Sequence, residues 1–345
     1  MDFGRAWRGG QQQLWLLARA LEPLGWRSLI ITPAADLAAR WRAAGFEALS
    51  PAAARRRLRR ADAVHVHDGR ALGWALLARL GRRAPPLVAS RRVSFPLRPL
   101  AAAKWRRAQR VLAVSEFVRR DLLRAGVAGE RVAVVFDAVD AASLPNAAAA
   151  RRHTRQALGM APEELCLACV SALTPEKGVG DLIAALPLLS DLHPRLLLAG
   201  EGPLRGALQS EAERQGVATQ LIWAQGRCGI PEAVAAADIF VLPSRQEGLG
   251  SSILLARALE RAVVATAVGG VPELVASGAD GLLAPPADPP ALAAAIRLAA
   301  ADPAQRQGWI AAGTASLRAR FTPAVMAAAT TAAYEAVLAP PAPVQ

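Results

Sequence analysis

Lysine is almost missing from this 345-residue chain: 39 of its 41 basic side chains are arginine, and only Lys104 and Lys177 are lysine. Cysteine is scarce too, with three copies, of which Cys166 and Cys169 lie inside the apolar run Leu165-Cys166-Leu167-Ala168-Cys169-Val170. A lone C-x-x-C without a second ligand pair reads as core packing in a strand rather than as a metal site, and implies a reducing compartment. With one tyrosine and seven phenylalanines the chain lacks the aromatic surface of a single-strand nucleic-acid binder, so no nucleic-acid partner is expected. No apolar run is long enough to span a bilayer, and the start lacks a basic-then-apolar signal segment. A cytoplasmic protein is expected, peripheral at most on the inner face of the membrane. No complete G-x-G-x-x-G opens either half, which argues against a dinucleotide oxidoreductase.

What is present is material for burial and an uneven charge. Hydrophobic residues make up 53% of a chain longer than one core usually extends, so two domains are expected. Of the net charge of +13, residues 1–150 hold 26 basic against 11 acidic side chains, and the remainder is close to neutral. The excess gathers at Arg55-Arg56-Arg57-Leu58-Arg59-Arg60, Arg82-Arg83, Arg91-Arg92 and Lys104-Trp105-Arg106-Arg107. Such a face attracts an anionic membrane surface, at about 1 kcal/mol per basic residue; its plain alternative is a solvated, arginine-rich exterior.

Strand-like and helical segments alternate along both halves, which predicts α/β doubly wound parallel sheets. The first half reads as helix Gln13–Leu24, strand Ser28–Ile31, helix Ala34–Ala44, strand Ala63–His67, helix Ala71–Leu80 and strand Leu87–Ser90. A basic helix Leu100–Ala108, strand Val111–Val114, helix Glu116–Ala125 and strand Val132–Phe136 follow. Asp140–His153, rich in alanine, is expected to be a linker. The pattern restarts at strand Cys166–Val170 and ends in a helix from about Thr322 to Leu338, expected to cross back to the first domain. The tail Pro340–Gln345 is proline-rich. Domains are thus expected at 1–145 and 146–321, with a crossover helix and tail at 322–345. Only Met1–Phe3 precede Gly4, so the first strand is expected to be short or missing.

Three loops have the form of phosphate cradles: Gly9-Gly10 before a helix, Gly200-Glu201-Gly202-Pro203 after a strand, and Glu247-Gly248-Leu249-Gly250-Ser251-Ser252 after strand Ile239–Leu242. Glycine count alone equally allows tight strand-to-helix turns. Lys177 follows strand Cys166–Val170 and is placed to neutralise a diphosphate leaving group; an exposed loop lysine is the alternative. His65 and His67 alternate with Val64 and Val66 and so share a strand face, with His67 at its cleft end as a contact for acceptor or donor, or as a structural histidine.

These residues carry a resemblance. Pro243-Ser244-Arg245-Gln246-Glu247-Gly248-Leu249-Gly250, continuing to Thr266-Ala267-Val268-Gly269-Gly270-Val271-Pro272-Glu273, resembles retaining GT-B glycosyltransferases of family four (glycosyl transferases group 1). Leu173-Thr174-Pro175-Glu176-Lys177-Gly178, Gly200-Glu201-Gly202-Pro203-Leu204, Val114-Ser115-Glu116 and Arg8-Gly9-Gly10-Gln11 match in the same order across nearly the whole chain. The resemblance implies two Rossmann-like domains facing a cleft and a retaining transferase that needs no metal and no cofactor besides its nucleotide-sugar substrate. It implies that Glu247 binds hydroxyls of the transferred sugar and Lys177 pairs with the diphosphate, the two converging across the gap between the domains. Glu201, Gly202, Gly248, Leu249, Gly250, Ser251 and Ser252 would hold the donor. Gly9 and Gly10 would close on it from the first domain, and His67 and Arg92 face the acceptor. Departures from the family pattern are Leu255 where a second acidic residue stands, Ala172 where an arginine often partners the lysine, Glu260 and Ala262 for a glycine and a proline, and Gln225-Gly226 near the nucleobase. Arg92 lies about where many members have a histidine. The expected function is transfer of a sugar to a lipid-linked or cell-surface glycan such as a lipopolysaccharide core, with Trp105 and its basic neighbours on the membrane. The alternative is a weakened homologue that binds sugars or partners.

Overall fold

The computed structural model describes residues 1–4, 6–79 and 84–339; Arg82-Arg83, Leu80 and the tail Pro340–Gln345 lie outside the described residues. The chain divides into two compact units, Met1–Ala138 with 322–345, and Val139–Phe321.

The first unit carries six short parallel strands, β1 (Leu29–Ile31), β2 (Glu47–Leu49), β3 (Val64–Val66), β4 (Leu87–Arg91), β5 (Arg110–Ala113) and β6 (Val132–Val134). β1 pairs with β2, and β3 to β6 form a second sheet in sequence order. The segment Met1–Phe3 connects the two: Asp2 N–H donates to the Ile31 carbonyl at 3.1 Å, and His67 N–H donates to the Met1 carbonyl at 2.9 Å. No strand precedes β1 among the described residues; Met1–Phe3 instead bridge β1 and β3 with single backbone hydrogen bonds to each side. The helix Gly9–Leu21 buries Leu16, Leu17 and Leu21 against Met326, Ala327 and Tyr334 of the helix Pro323–Leu338. Trp7, Trp15, Trp41 and Phe46 pack together beside β1, with ring centroids 5.3–6.1 Å apart in tilted and edge-on pairs. Within this cluster Trp41 and Phe46 are buried, and Trp7 and Trp15 cover them from the partly exposed side.

The second unit has one parallel sheet of six strands: β7 (Cys166–Val170), β8 (Arg195–Ala199), β9 (Leu221–Trp223), β10 (Ile239–Leu242), β11 (Ala262–Thr266) and β12 (Leu282–Ala284). Their order is β12-β11-β10-β7-β8-β9. Chain direction therefore reverses its advance between β7 and β10, and in such a sheet ligands bind beyond the carboxyl ends of the strands at that switch point. β7, β10 and β11 are buried through nearly their whole length, as strands covered on both faces must be.

Two sequence expectations are corrected here. The alanine-rich stretch is not a linker: Asn146 caps a helix Ala147–Ala157, and Arg151 and Arg155 both pair with Asp238 at 2.7 Å. Alanine is the strongest helix former, and the two arginines one turn apart anchor that helix to the start of β10. The unit boundary consequently falls at 138/139 rather than 145/146. β2 and β12, three residues each, are too short to stand out in the pattern. Cys166 and Cys169 lie buried in β7, where burial pushes both thiols up to about 12, so they remain protonated core groups.

Candidate active site

In the second unit, loops that follow β7, β8, β10 and β11 meet beyond the carboxyl end of the sheet. After β7 the chain turns through Pro175–Lys177 into Gly178, whose φ of 61° lies in the left-handed region. A side chain on Gly178 would also strike the Pro243 carbonyl oxygen, so the loops after β7 and β10 touch backbone to backbone. The Glu176 carbonyl accepts from Arg245 N–H at 2.8 Å and Gln246 N–H at 3.1 Å. The Arg245 guanidinium grips both Asp181 carboxylate oxygens, at 2.6 and 2.8 Å.

This lacing brings Lys177 Nζ to 2.7 Å from Glu247 Oε1. The same carboxylate oxygen accepts from Ser244 Oγ at 2.9 Å. Thr266 at the end of β11 donates its hydroxyl to the Ser244 carbonyl. Glu247 is 10% exposed and Lys177 24%, so the carboxylate is held rigidly while the ammonium keeps a face toward solvent. Both residues come from the second unit, one after β7 and one after β10, and they pair directly with each other.

The other donor candidates are placed by the same loops. Leu173 N–H donates to the Glu201 carbonyl at 2.9 Å and Leu204 N–H to the Leu173 carbonyl at 3.1 Å, tying the Gly200–Leu204 loop to the loop after β7. Gly200 and Gly202 have no room for a Cβ against Ser171 and Leu173. Gly248, Leu249 and Gly250 lead into Ser251 and the helix Ser252–Ala258, with Leu249 buried and Gly250 at φ 94°. Leu255 sits half-buried on that helix, where it offers no hydrogen-bond acceptor. Ser244, Thr266 and the Arg245–Asp181 pair were not singled out from sequence; Thr266 reaches Ser244 across 22 positions and Arg245 reaches Asp181 across 64, although Ser244 and Arg245 lie inside the motif itself.

In the first unit Gly9 and Gly10 form the first turn of the helix Gly9–Leu21, exposed and with open space around each. His65 and His67 lie on one strand face with ring centroids 4.0 Å apart. His65 is bracketed by Tyr334 Oη at 2.7 Å and Ser90 Oγ at 2.8 Å, which makes it structural. Burial, with the nearby Arg92 guanidinium adding to it, holds both imidazoles well below the usual histidine range, so both are neutral at pH 7. His67 Nδ1 has no hydrogen-bond partner among the described residues. Arg92, just past β4, pairs with Asp137 at 2.6 Å. Asp68 caps the helix Gly69–Ala78 and accepts from Phe3 N–H at 2.6 Å. Trp105 is 4% exposed with the Arg91 guanidinium over its ring, so it is core and not a membrane anchor. Among the described residues no group of three histidine, cysteine, aspartate or glutamate side chains is arranged to hold a metal.

Two family models match, glycosyltransferase family 4 over residues 7–143 and glycosyl transferases group 1 over 164–302. A GDP-mannose-dependent alpha-(1-6)-phosphatidylinositol monomannoside mannosyltransferase of Mycolicibacterium smegmatis is 35% identical over 265 residues, 70% of this chain and 68% of that protein. The chain belongs to the family 4 glycosyltransferases. A glycogen synthase of Mycobacterium tuberculosis is also 35% identical, over 59% of this chain, and the match spans about half (48%) of that protein's length. Among solved structures, HepE of Anabaena in complex with UDP-glucose superposes with a TM-score of 0.87 at 20% identity, covering 97% of this chain and 98% of that one. The two Rossmann-like units of this family 4 glycosyltransferase are thus those of the GT-B fold.

Proposed function

We propose that the chain is a retaining, metal-independent glycosyltransferase that moves a sugar from a nucleotide-sugar donor to a lipid-linked or cell-surface glycan at a membrane. The observation that carries this reading is the Lys177–Glu247 pair, 2.7 Å long, at the switch point between β7 and β10. Glu247, oriented by Ser244, accepts hydrogen bonds from hydroxyls of the transferred sugar. Lys177 offsets the charge that grows on the diphosphate as its bond to the anomeric carbon breaks. The acceptor oxygen bonds to that carbon from the same face, and its proton passes to the departing phosphate oxygen, so no protein nucleophile enters. Amides of Gly248, Leu249 and Gly250 and the hydroxyls of Ser251 and Ser252 line the donor's sugar and phosphates, with Glu201 and Gly202 beside them. Gly9 and Gly10 serve the phosphates, and His67 and Arg92 the acceptor.

The relatives support this reading without choosing a base, since one uses GDP-mannose and the other structure held UDP-glucose. The mannosyltransferase's acceptor, a phosphatidylinositol monomannoside, supports a lipid-linked acceptor here. Incubation with UDP-, GDP- and ADP-sugars and an extract of membrane glycolipids tests it. One donor should yield a glycosylated lipid, and Glu247→Gln and Lys177→Ala should each lower kcat by about 10²–10³ while the fold persists. Donor binding without turnover in the unmodified protein would instead favour a sugar-binding homologue, for which Leu255 is the motive. Normal turnover in either variant would overturn the site.

A further inference from the structure

The first unit carries a groove that the donor chemistry does not use. It runs along the helix Gly69–Ala78, and its two stretches share Arg55 and Trp74 as lining residues. One stretch begins at Pro33 and Ser50, immediately beyond the carboxyl ends of β1 and β2. The other, about 340 Å³, continues past Leu58 and Leu77 to Pro85, ahead of β4. Its floor is apolar and its basic lining consists of Arg55, Arg59 and Arg79, while among the described residues no acidic side chain lines either stretch.

Leu77 is 69% exposed, more than any other large hydrophobic side chain among the described residues. An exposed aliphatic side chain in a groove whose charged lining is all guanidinium has the amphipathic character of a membrane-surface element: the apolar tip enters the acyl boundary while cations meet headgroup phosphates. The same charge sign prevails around it, since residues 1–150 carry the whole net positive charge of the chain. Neither Arg106-Arg107 nor Trp105 offers this combination, because Trp105 is buried.

We propose that this groove, with Leu77 at its lip and Arg55, Arg59 and Arg79 around it, docks the protein on an anionic phospholipid bilayer. The inference rests on the reading that the acceptor is presented at a membrane, and it names the face that meets that membrane. Since the groove starts beyond the carboxyl edge of β1 and β2, a lipid seated in it has its headgroup on the edge of the unit where ligands bind in parallel sheets.

Vesicle co-sedimentation of the full chain tests the proposal with no need for turnover, so it stands or fails apart from the transfer reaction. The protein should sediment with phosphatidylglycerol-containing vesicles and not with phosphatidylcholine alone. Leu77→Ser should weaken that binding on the order of tenfold, and Arg55→Gln and Arg59→Gln about fivefold each. All three side chains are solvent-facing, and circular dichroism of each variant checks that the fold is retained. Binding of anionic vesicles unaffected by Leu77→Ser would mean diffuse charge attraction and would overturn the docking groove. Equal affinity for a single-stranded RNA, lost in the same variants, would overturn it in favour of a nucleic-acid surface.

Discussion

Gly269, in the loop after β11, packs its Cα directly against the backbone of Glu247. With φ at 56°, and with the Glu247 carbonyl oxygen where a Cβ would have to sit, no other residue fits there without moving Glu247. Gly269→Ala should therefore lower stability by about 2–4 kcal/mol. It should also cut donor affinity, because the displaced carboxylate no longer meets Lys177. Thermal unfolding and nucleotide-sugar titration measure the two effects; an alanine variant with unchanged donor affinity would show that Glu247 does not contact the sugar.

Gly9 and Gly10 make the opposite case. Neither has a positive φ, and a Cβ at either meets nothing within 4 Å. In the first turn of a helix, alanine should raise stability by about 0.5–1 kcal/mol. If these glycines let a phosphate approach the backbone, Gly9→Ala and Gly10→Ala will be stabilised yet slower in transfer. A stabilised variant with full activity would remove them from the site.

The buried imidazoles make stability depend on pH. Unfolded, His65 and His67 titrate near 6.5; folded, both hold off protonation to much lower pH. Between those values the unfolded chain binds more protons, so stability is full above about 6.5 and falls as pH drops toward the folded values. Each ring removes about 1.4 kcal/mol per pH unit once the solution is well below 6.5. Unfolding midpoints measured from pH 7.5 to 5 should fall, and His67→Asn should flatten that slope. An unaltered slope would place His67 in solvent.

Glu260 follows the helix Ser252–Ala258 with φ at 58°, a left-handed conformation in which glycine is the usual residue. Glu260→Gly should stabilise the protein by about 1 kcal/mol. Chemical denaturation reads this directly, and a destabilised variant would contradict the strained conformation.

The alternation of strands and helices, the two-unit division, the crossover helix and the buried Cys166-x-x-Cys169 strand were all legible in the sequence, because period and apolar runs report burial locally. The loop motifs around Lys177, Glu201 and Glu247 were legible as types and spacings. The alanine-rich helix was hidden because its reason for ordering, Asp238, lies more than eighty residues away. The Trp105 misplacement has a similar origin: neighbouring charges say nothing about which side of a short helix faces the core.

By itself the sequence determined that this chain folds as two parallel α/β units and that its basic charge belongs to the first. Only the tertiary structure decided that Lys177 and Glu247 bond directly to each other and that Leu77 stands exposed in a groove lined by arginines. The reason is physical. Secondary structure follows from contacts within a few residues, whereas a site is made where strands distant in sequence end side by side, and their order in the sheet is written in no local pattern.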